Sequence, residues 1–232
     1  MSGDKRPLER NSRDRRGEEM TAVLLIRHGE SEANRAGYFA GQSDAALLEK
    51  GFLQAKLTAE FIRDNYRVTG IYASDLKRAY DTGKVLGDLI GITPVSDIRL
   101  REIYAGKWQG MRFGDIEDTY GEAYRTWRYD IGNCVPTEGE SVKELGRRVM
   151  ECLEDIAARH DGEVIAVATH ATPIRAIQCM ISGPGFDGMK DIPWVTNASV
   201  TEISLRDGQW RIEKLCMDAH LSSIRTAFPA NV

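Results

Sequence analysis

The chain has 232 residues, of which 42% are hydrophobic and 28% charged, and a formal net charge of -4. That length allows one sizeable core or two small ones, and the mild acidity gives no whole-molecule attraction to nucleic acid or an anionic membrane, so any anion site must be local. No apolar run approaches the roughly 20 residues of a membrane span, and the four cysteines include no CxxC pair, which points to reduced thiols in a cytoplasmic protein.

Residues 1–20, "MSGDKRPLERNSRDRRGEEM", carry no apolar h-region and read as a disordered, solvated tail outside the fold. The folded domain is expected over 21–232. "AVLLI" (22–26) is a short continuous apolar run, the pattern of a strand buried on both faces. Residues 49–66 repeat apolar positions at Phe52, Leu53, Leu57, Phe61 and Ile62, which is helical spacing. "GIYAS" (70–74) predicts a second buried strand, and 75–91 a helix with Asp75 able to cap its start and Gly91 its end.

Between 100 and 140 glycine and aromatics mix, which predicts short helices in a long excursion; residues 103–140 are expected to form a lid-like insertion. Residues 141–160 predict a helix opened by a capping box of Ser141 and Glu144. "EVIAVAT" (163–169) predicts a third buried strand, followed by a helix over 172–183. "SVTEISL" and "QWRIEKL" flank "RDG" as a hairpin. Strands alternating with helices predict an α/β fold, a three-layer α/β/α sandwich around a mostly parallel sheet.

Open α/β sheets bind ligands outside the carboxyl ends of their strands. Three strand ends here carry polar residues: Arg27 and His28 after the first, Ser74 and then Arg78 after the second, His170 after the third. A lone strand-end histidine is often structural, and Arg78 could simply pair with Asp75 or Asp81. Together, two histidines and two arginines would converge if the strands are neighbours. Guanidinium forks match phosphate oxygens, and a helix start near Ala171 offers free N–H groups. A phosphoryl group fits such a site.

These residues also sit in familiar surroundings. "RHGESEAN" followed by "GYFAGQSDAALLEKG" resembles the opening of the histidine phosphatase, or phosphoglycerate mutase-like, superfamily. The resemblance continues in register through "SDLKRAYDTGKVL", "LREIYAGKWQG", "GES", "ATHATPIRAI", "NASVTEISL" and "DAHL", over about residues 21–221. It implies that His28 is a nucleophile forming a phosphohistidine, that Arg27, Arg78 and Asn34 hold phosphoryl oxygens, and that His170 stabilises the transition state with the backbone N–H of Ala171. It implies Glu102 as general acid and base. It implies no metal and no cofactor, a small phosphorylated substrate, and no nucleic-acid or membrane partner.

Within that superfamily, "EIYAGKWQGMRFGDI" is similar to the phosphatase branch; the arginine pair that follows in the mutases is not evident, and Ala40 stands where mutases often carry a threonine. A phosphoglycerate mutase, a protein phosphatase and a catalytically silent phospho-ligand binding domain are the alternatives. Lys107, Trp108, Arg112, Tyr124, Trp127 and Arg128 either line a substrate lid or, for the aromatics, form the insertion's own small core.

Overall fold

The computed structural model describes residues 20–183 and 185–226. The proposed tail therefore lies outside the described residues, apart from Met20. β1 (Thr21–Arg27), β2 (Val68–Ala73), β3 (Val95–Ser96) and β4 (Val164–Thr169) are parallel, and β5 (Val200–Arg206) and β6 (Gln209–Met217) add antiparallel strands at one edge. The order is β3-β2-β4-β1-β5-β6. The sheet is thus mixed but mostly parallel, and the expected hairpin is its antiparallel edge. β3, only two residues long and exposed, has no apolar run that would have announced it.

Alternation along β1 sorts the core. Ala22, Leu24 and Ile26 pack on one face with Ala59 and Ile62 of α2 (Glu49–Asn65) and Leu86 of α3 (Lys77–Ile90). Val23 and Leu25 face the other way, toward α5 (Val142–Arg159) and α6 (Ala171–Ser182). Both sheet faces are covered, so β1 and β4 are buried from end to end. No described helix is long and apolar enough to cross a membrane.

The helix ends largely follow the sequence signals. Ser141 and Glu144 form their capping box, and Gly91 closes α3 with φ 78°. Asp75 is a correction: it does not cap α3, whose N-cap is Leu76. Its carboxylate instead takes both arms of Arg101, at 2.7 and 2.5 Å, a stronger charge-assisted pairing than a single cap bond. A short helix, α1 (Glu32–Ala36), follows the first strand end and is opened by a Ser31–Asn34 capping box that was not foreseen.

The segment after β3 holds α4 (Phe113–Tyr129), bent at Tyr120, where the backbone leaves helical angles. Trp108, Tyr124 and Trp127 are 0, 1 and 3% exposed and join the main core. The three aromatics thus pack into the core of the whole domain rather than a separate small one, and Trp127 also lines the cavity described below.

Candidate active site

The expected condition of neighbouring strands is met, because β4 lies between β2 and β1. Ser74, His170 and the pair Arg27–His28 therefore leave three adjacent parallel strands at the same edge. The backbone of His28 is fixed on both sides. Its N–H donates to Thr169 O at 3.0 Å, and its carbonyl accepts from Ala198 N at 3.2 Å and Asn197 Nδ2 at 3.0 Å. Next to it, Gly29 is forced by packing. A Cβ there would lie 2.3 Å from Gly51 O, and a Cβ on Gly51 would lie 2.1 Å from Glu30 O. The first turn of α2 can approach the loop only because both residues lack a side chain.

The ring of His28 is committed at one nitrogen. Nδ1 lies 2.7 Å from Gly29 O, an acceptor with no proton to give, so Nδ1 carries the hydrogen and Nε2 keeps its lone pair. Burial, then the charges of Arg78 and Arg27, hold His28 well below its ordinary value of 6.5. The imidazole is therefore neutral at physiological pH.

His170 is fully buried, with its ring edge-on to that of His28, centroids 5.2 Å apart. Its Nε2 lies 2.9 Å from Ser74 Oγ, and the same hydroxyl oxygen accepts from Leu76 N at 3.3 Å. A hydroxyl that accepts from Leu76 can still donate its own proton to Nε2, and in that tautomer the ring hydrogen sits on Nδ1. That nitrogen has no partner among the described residues. Burial, followed by the charges of Arg78 and His28, keeps His170 well below its ordinary value as well.

Arg78 is 1% exposed and is aimed by two carbonyls, Ser43 O at 2.8 Å and Gly41 O at 2.7 Å, rather than paired with Asp75 or Asp81. Arg27 donates through Nη1 to Val195 O at 2.5 Å. Burial lowers the value of both arginines, that of Arg27 to about 10, and Glu102 is the first charge opposing it in each case. Asn34 spends its Oδ1 on Ser31 N, Ser31 Oγ and Asn197 Nδ2, which leaves its NH2 group to donate elsewhere.

Glu102 is held through its backbone. Its carbonyl accepts from Arg148 Nη2 at 2.9 Å and Gln42 Nε2 at 3.1 Å, and Arg148 is in turn paired with Glu140 at 2.6 Å. Its side chain receives Ile103 N at 2.8 Å and Thr172 N at 3.5 Å. Thr172 and Ala171 belong to the first turn of α6, whose donors have no partner within the helix.

One cavity brings these groups together. Arg27, His28, Asn34, Arg78, Glu102 and Ala171 all line it, with a volume of about 100 Å3. His170 is the exception, contributing no wall surface and lying against His28 instead. Away from the arginines the wall is aromatic: Tyr38, Phe39, Phe113, Trp127 and Trp194. Phe113, Trp194 and the supports Asn197, Arg148 and Gln42 were not singled out from sequence; the blocks "GYFAGQSDAALLEKG", "GES" and "NASVTEISL", which contain Gln42, Glu140 and Asn197, were the available signals. Arg175, on α6, is not on this wall. The cavity thus offers a neutral imidazole lone pair, two guanidinium groups and a carboxyl. That set suits nucleophilic attack on a bound phosphoryl group.

Comparison with known proteins points the same way. The model for the histidine phosphatase superfamily (branch 1) matches residues 23–218. The chain is 35% identical over 208 residues to a metal-independent phosphoserine phosphatase of Arabidopsis thaliana, covering 89% of this chain and 85% of that protein. It is 33% identical over 208 residues to putative phosphoserine phosphatase 2 of Hydrogenobacter thermophilus, covering 88% and 100%. Among solved structures, Bacillus stearothermophilus YhfR superposes with a TM-score of 0.83 at 26% identity, over 87% of this chain and all of that one. The chain belongs to the histidine phosphatase superfamily.

Proposed function

We propose that His28 is the nucleophile of a metal-independent phosphomonoesterase. In the first step its Nε2 bonds to phosphorus as the ester P–O bond breaks, and the leaving oxygen takes its proton from Glu102. In the second, water attacks the phosphohistidine, Glu102 takes up the water proton, the P–N bond breaks and inorganic phosphate leaves. Arg27, Arg78, the Asn34 amide, the Ala171 N–H and the Nδ1 hydrogen of His170 hold the phosphoryl oxygens as charge shifts onto them. Residues 103–140 serve this site as a partial cover rather than as a separate domain.

The observation that carries this reading is the bond from His28 Nδ1 to Gly29 O in a ring kept neutral by burial and two guanidinium groups. The positive charge usually supplied by a metal ion in phosphoryl transfer is supplied here by arginine. A cavity of about 100 Å3 suits a small substrate rather than a folded partner. The relatives named above make phosphoserine the first compound to try.

The test is phosphate release from p-nitrophenyl phosphate and phosphoserine in excess EDTA, with His28→Ala in parallel. Release that survives EDTA and is lost in folded His28→Ala is the expected result, together with acid-labile phosphate trapped on the wild-type protein. More than a few per cent of the wild-type rate in the variant would remove His28 from the nucleophile's role.

A further inference from the structure

Trp127 and Trp194 also line a second cavity, of about 250 Å3, which the His28 chemistry does not use. Arg175 belongs to its lining and is 3% exposed. Its Nε donates to Ile192 O at 3.0 Å, its Nη2 to Met189 O at 2.9 Å and Ile192 O at 2.7 Å, and its guanidinium lies 3.9 Å from the centre of the Trp194 ring. With Nε and Nη2 spent on carbonyls, Nη1 has no acceptor among the described residues. No ion pair joins Arg175 to a described carboxylate either. Carbonyl dipoles satisfy the donors of a buried arginine but leave its charge uncompensated, a costly state unless an anion completes it.

The rest of the lining has the matching sign. Arg128 and Lys190 face the same cavity, and neither is in an ion pair among the described residues. Asp191 is the single carboxylate on the wall. Burial lowers Arg175 to about 10, which leaves it charged at neutral pH.

We infer that this cavity binds a small oxyanion, a carboxylate or a phosphate, on Arg175 Nη1 with Arg128 and Lys190. The site is wired to the phosphoryl end through one short segment. Arg175 holds Ile192 O, Trp194 forms the shared wall, and Val195 O receives Arg27 Nη1. Two sources fit this chemistry: a free anion that acts on the segment carrying Arg27, or an acidic group at the far end of a substrate whose phosphoryl group sits at His28. Only the second rests on the proposed role of His28.

The experiment fills the His28 cavity with orthovanadate and titrates sodium sulfate at constant ionic strength, reading tryptophan fluorescence. A saturable change is expected, with its midpoint raised about tenfold in the double variant Arg128→Gln/Lys190→Gln, as expected for lost charge-assisted hydrogen bonds. Both substitutions lie on exposed or half-exposed side chains, so folding is preserved, and the melting temperature checks it. The source follows from KM values of the double variant. A rise for phosphoserine but not for phenyl phosphate identifies a substrate-borne anion. Unchanged KM for both, with kcat responding to sulfate in the parent only, identifies a free one. Absence of a saturable sulfate signal, or a midpoint unmoved in the double variant, overturns the site. Failure of vanadate to bind would instead count against the His28 reading, and sulfate titration of parent against double variant would still decide the second cavity.

Discussion

The imidazoles of His28 and His170 meet edge to face at 62°, and in each ring one nitrogen is engaged by the protein while the other has no partner among the described residues. The engaged nitrogens are opposite ones: Nδ1 in His28, bound to Gly29 O, and Nε2 in His170, bound to Ser74 Oγ. His28 is thereby left with a lone pair on Nε2, and His170, when Ser74 donates to its Nε2, with an N–H on Nδ1. The same residue type is held at opposite nitrogens because one ring meets a carbonyl acceptor and the other a serine hydroxyl.

That pair sets how stability responds to acid. Both values are depressed in the folded state, by burial first and neighbouring charge second. As pH falls below about 6.5, the unfolded chain takes up protons that the folded chain refuses, so stability declines with falling pH. Each histidine contributes a slope that rises to at most about 1.4 kcal/mol per pH unit as the unfolded imidazole becomes fully protonated. Urea unfolding between pH 7.5 and 5.5 is expected to show this decline, and His170→Asn to flatten it. An identical slope in the variant would mean that His170 is not buried neutral.

Arg78 is aimed by two main-chain carbonyls, Gly41 O and Ser43 O, which fix the plane of its fork. Lysine keeps the charge but neither the fork nor both anchors. Arg78→Lys is expected to lower kcat/KM by about a hundredfold, within the usual range for removing one transition-state donor, and to weaken inhibition by vanadate in parallel. Equal vanadate inhibition in both proteins would argue that Arg78 does not touch the phosphoryl group.

Glu140 and Arg148 do not line the His28 cavity, yet Arg148 donates to the carbonyls of Arg99, Arg101 and Glu102. They are positioning residues for Glu102. A general acid matters most when the leaving oxygen is a poor leaving group. Glu140→Gln is therefore expected to reduce kcat about tenfold or more for phosphoserine, an alkyl ester, and less for p-nitrophenyl phosphate. A uniform loss on both substrates would indicate general loosening instead.

Gly51→Ala places a methyl group 2.1 Å from Glu30 O, so the first turn of α2 must back away from the Gly29–Glu30 loop. Overpacking of this kind costs about 1–3 kcal/mol. A lowered melting temperature is expected together with a fall in kcat, since the same loop carries the acceptor for His28 Nδ1. Full activity with a lowered melting temperature would uncouple that contact from the chemistry.

Much of this was legible in the sequence, and the remainder is instructive. Buried strands announce themselves as unbroken apolar runs, so β1, β2 and β4 and the residues at their ends were placed correctly. Arg27, His28, Asn34, Arg78, Glu102 and Ala171 do share one cavity. The carbonyls that aim the arginines, from Gly41, Ser43 and Val195, carry no side-chain identity and leave no trace in a pattern. Trp194 and Asn197 come from an aperiodic segment before β5, where neither helical nor alternating spacing exists to assign a face. Asp75 shows the limit of local rules: its position before a helix suggested a cap, and a residue 26 positions away took it instead.

The long-range bonds around Glu30 also fix when the enzyme can come into being. Gln54, fully buried, accepts from Glu30 N and donates to Ile224 O and Thr226 Oγ1, and Thr226 closes back on Glu30 Oε2 across 196 positions of sequence. β1, which delivers His28, hydrogen-bonds only to β4 and β5 within the sheet. A chain emerging from the ribosome therefore makes His28 early and must wait for residues beyond 164 to pair the strand that holds it. It must wait for residue 226 to finish the loop beside it. The apolar "AVLLI" strand stays unpaired for most of synthesis, which is the interval in which a nascent chain of this topology is most exposed to aggregation.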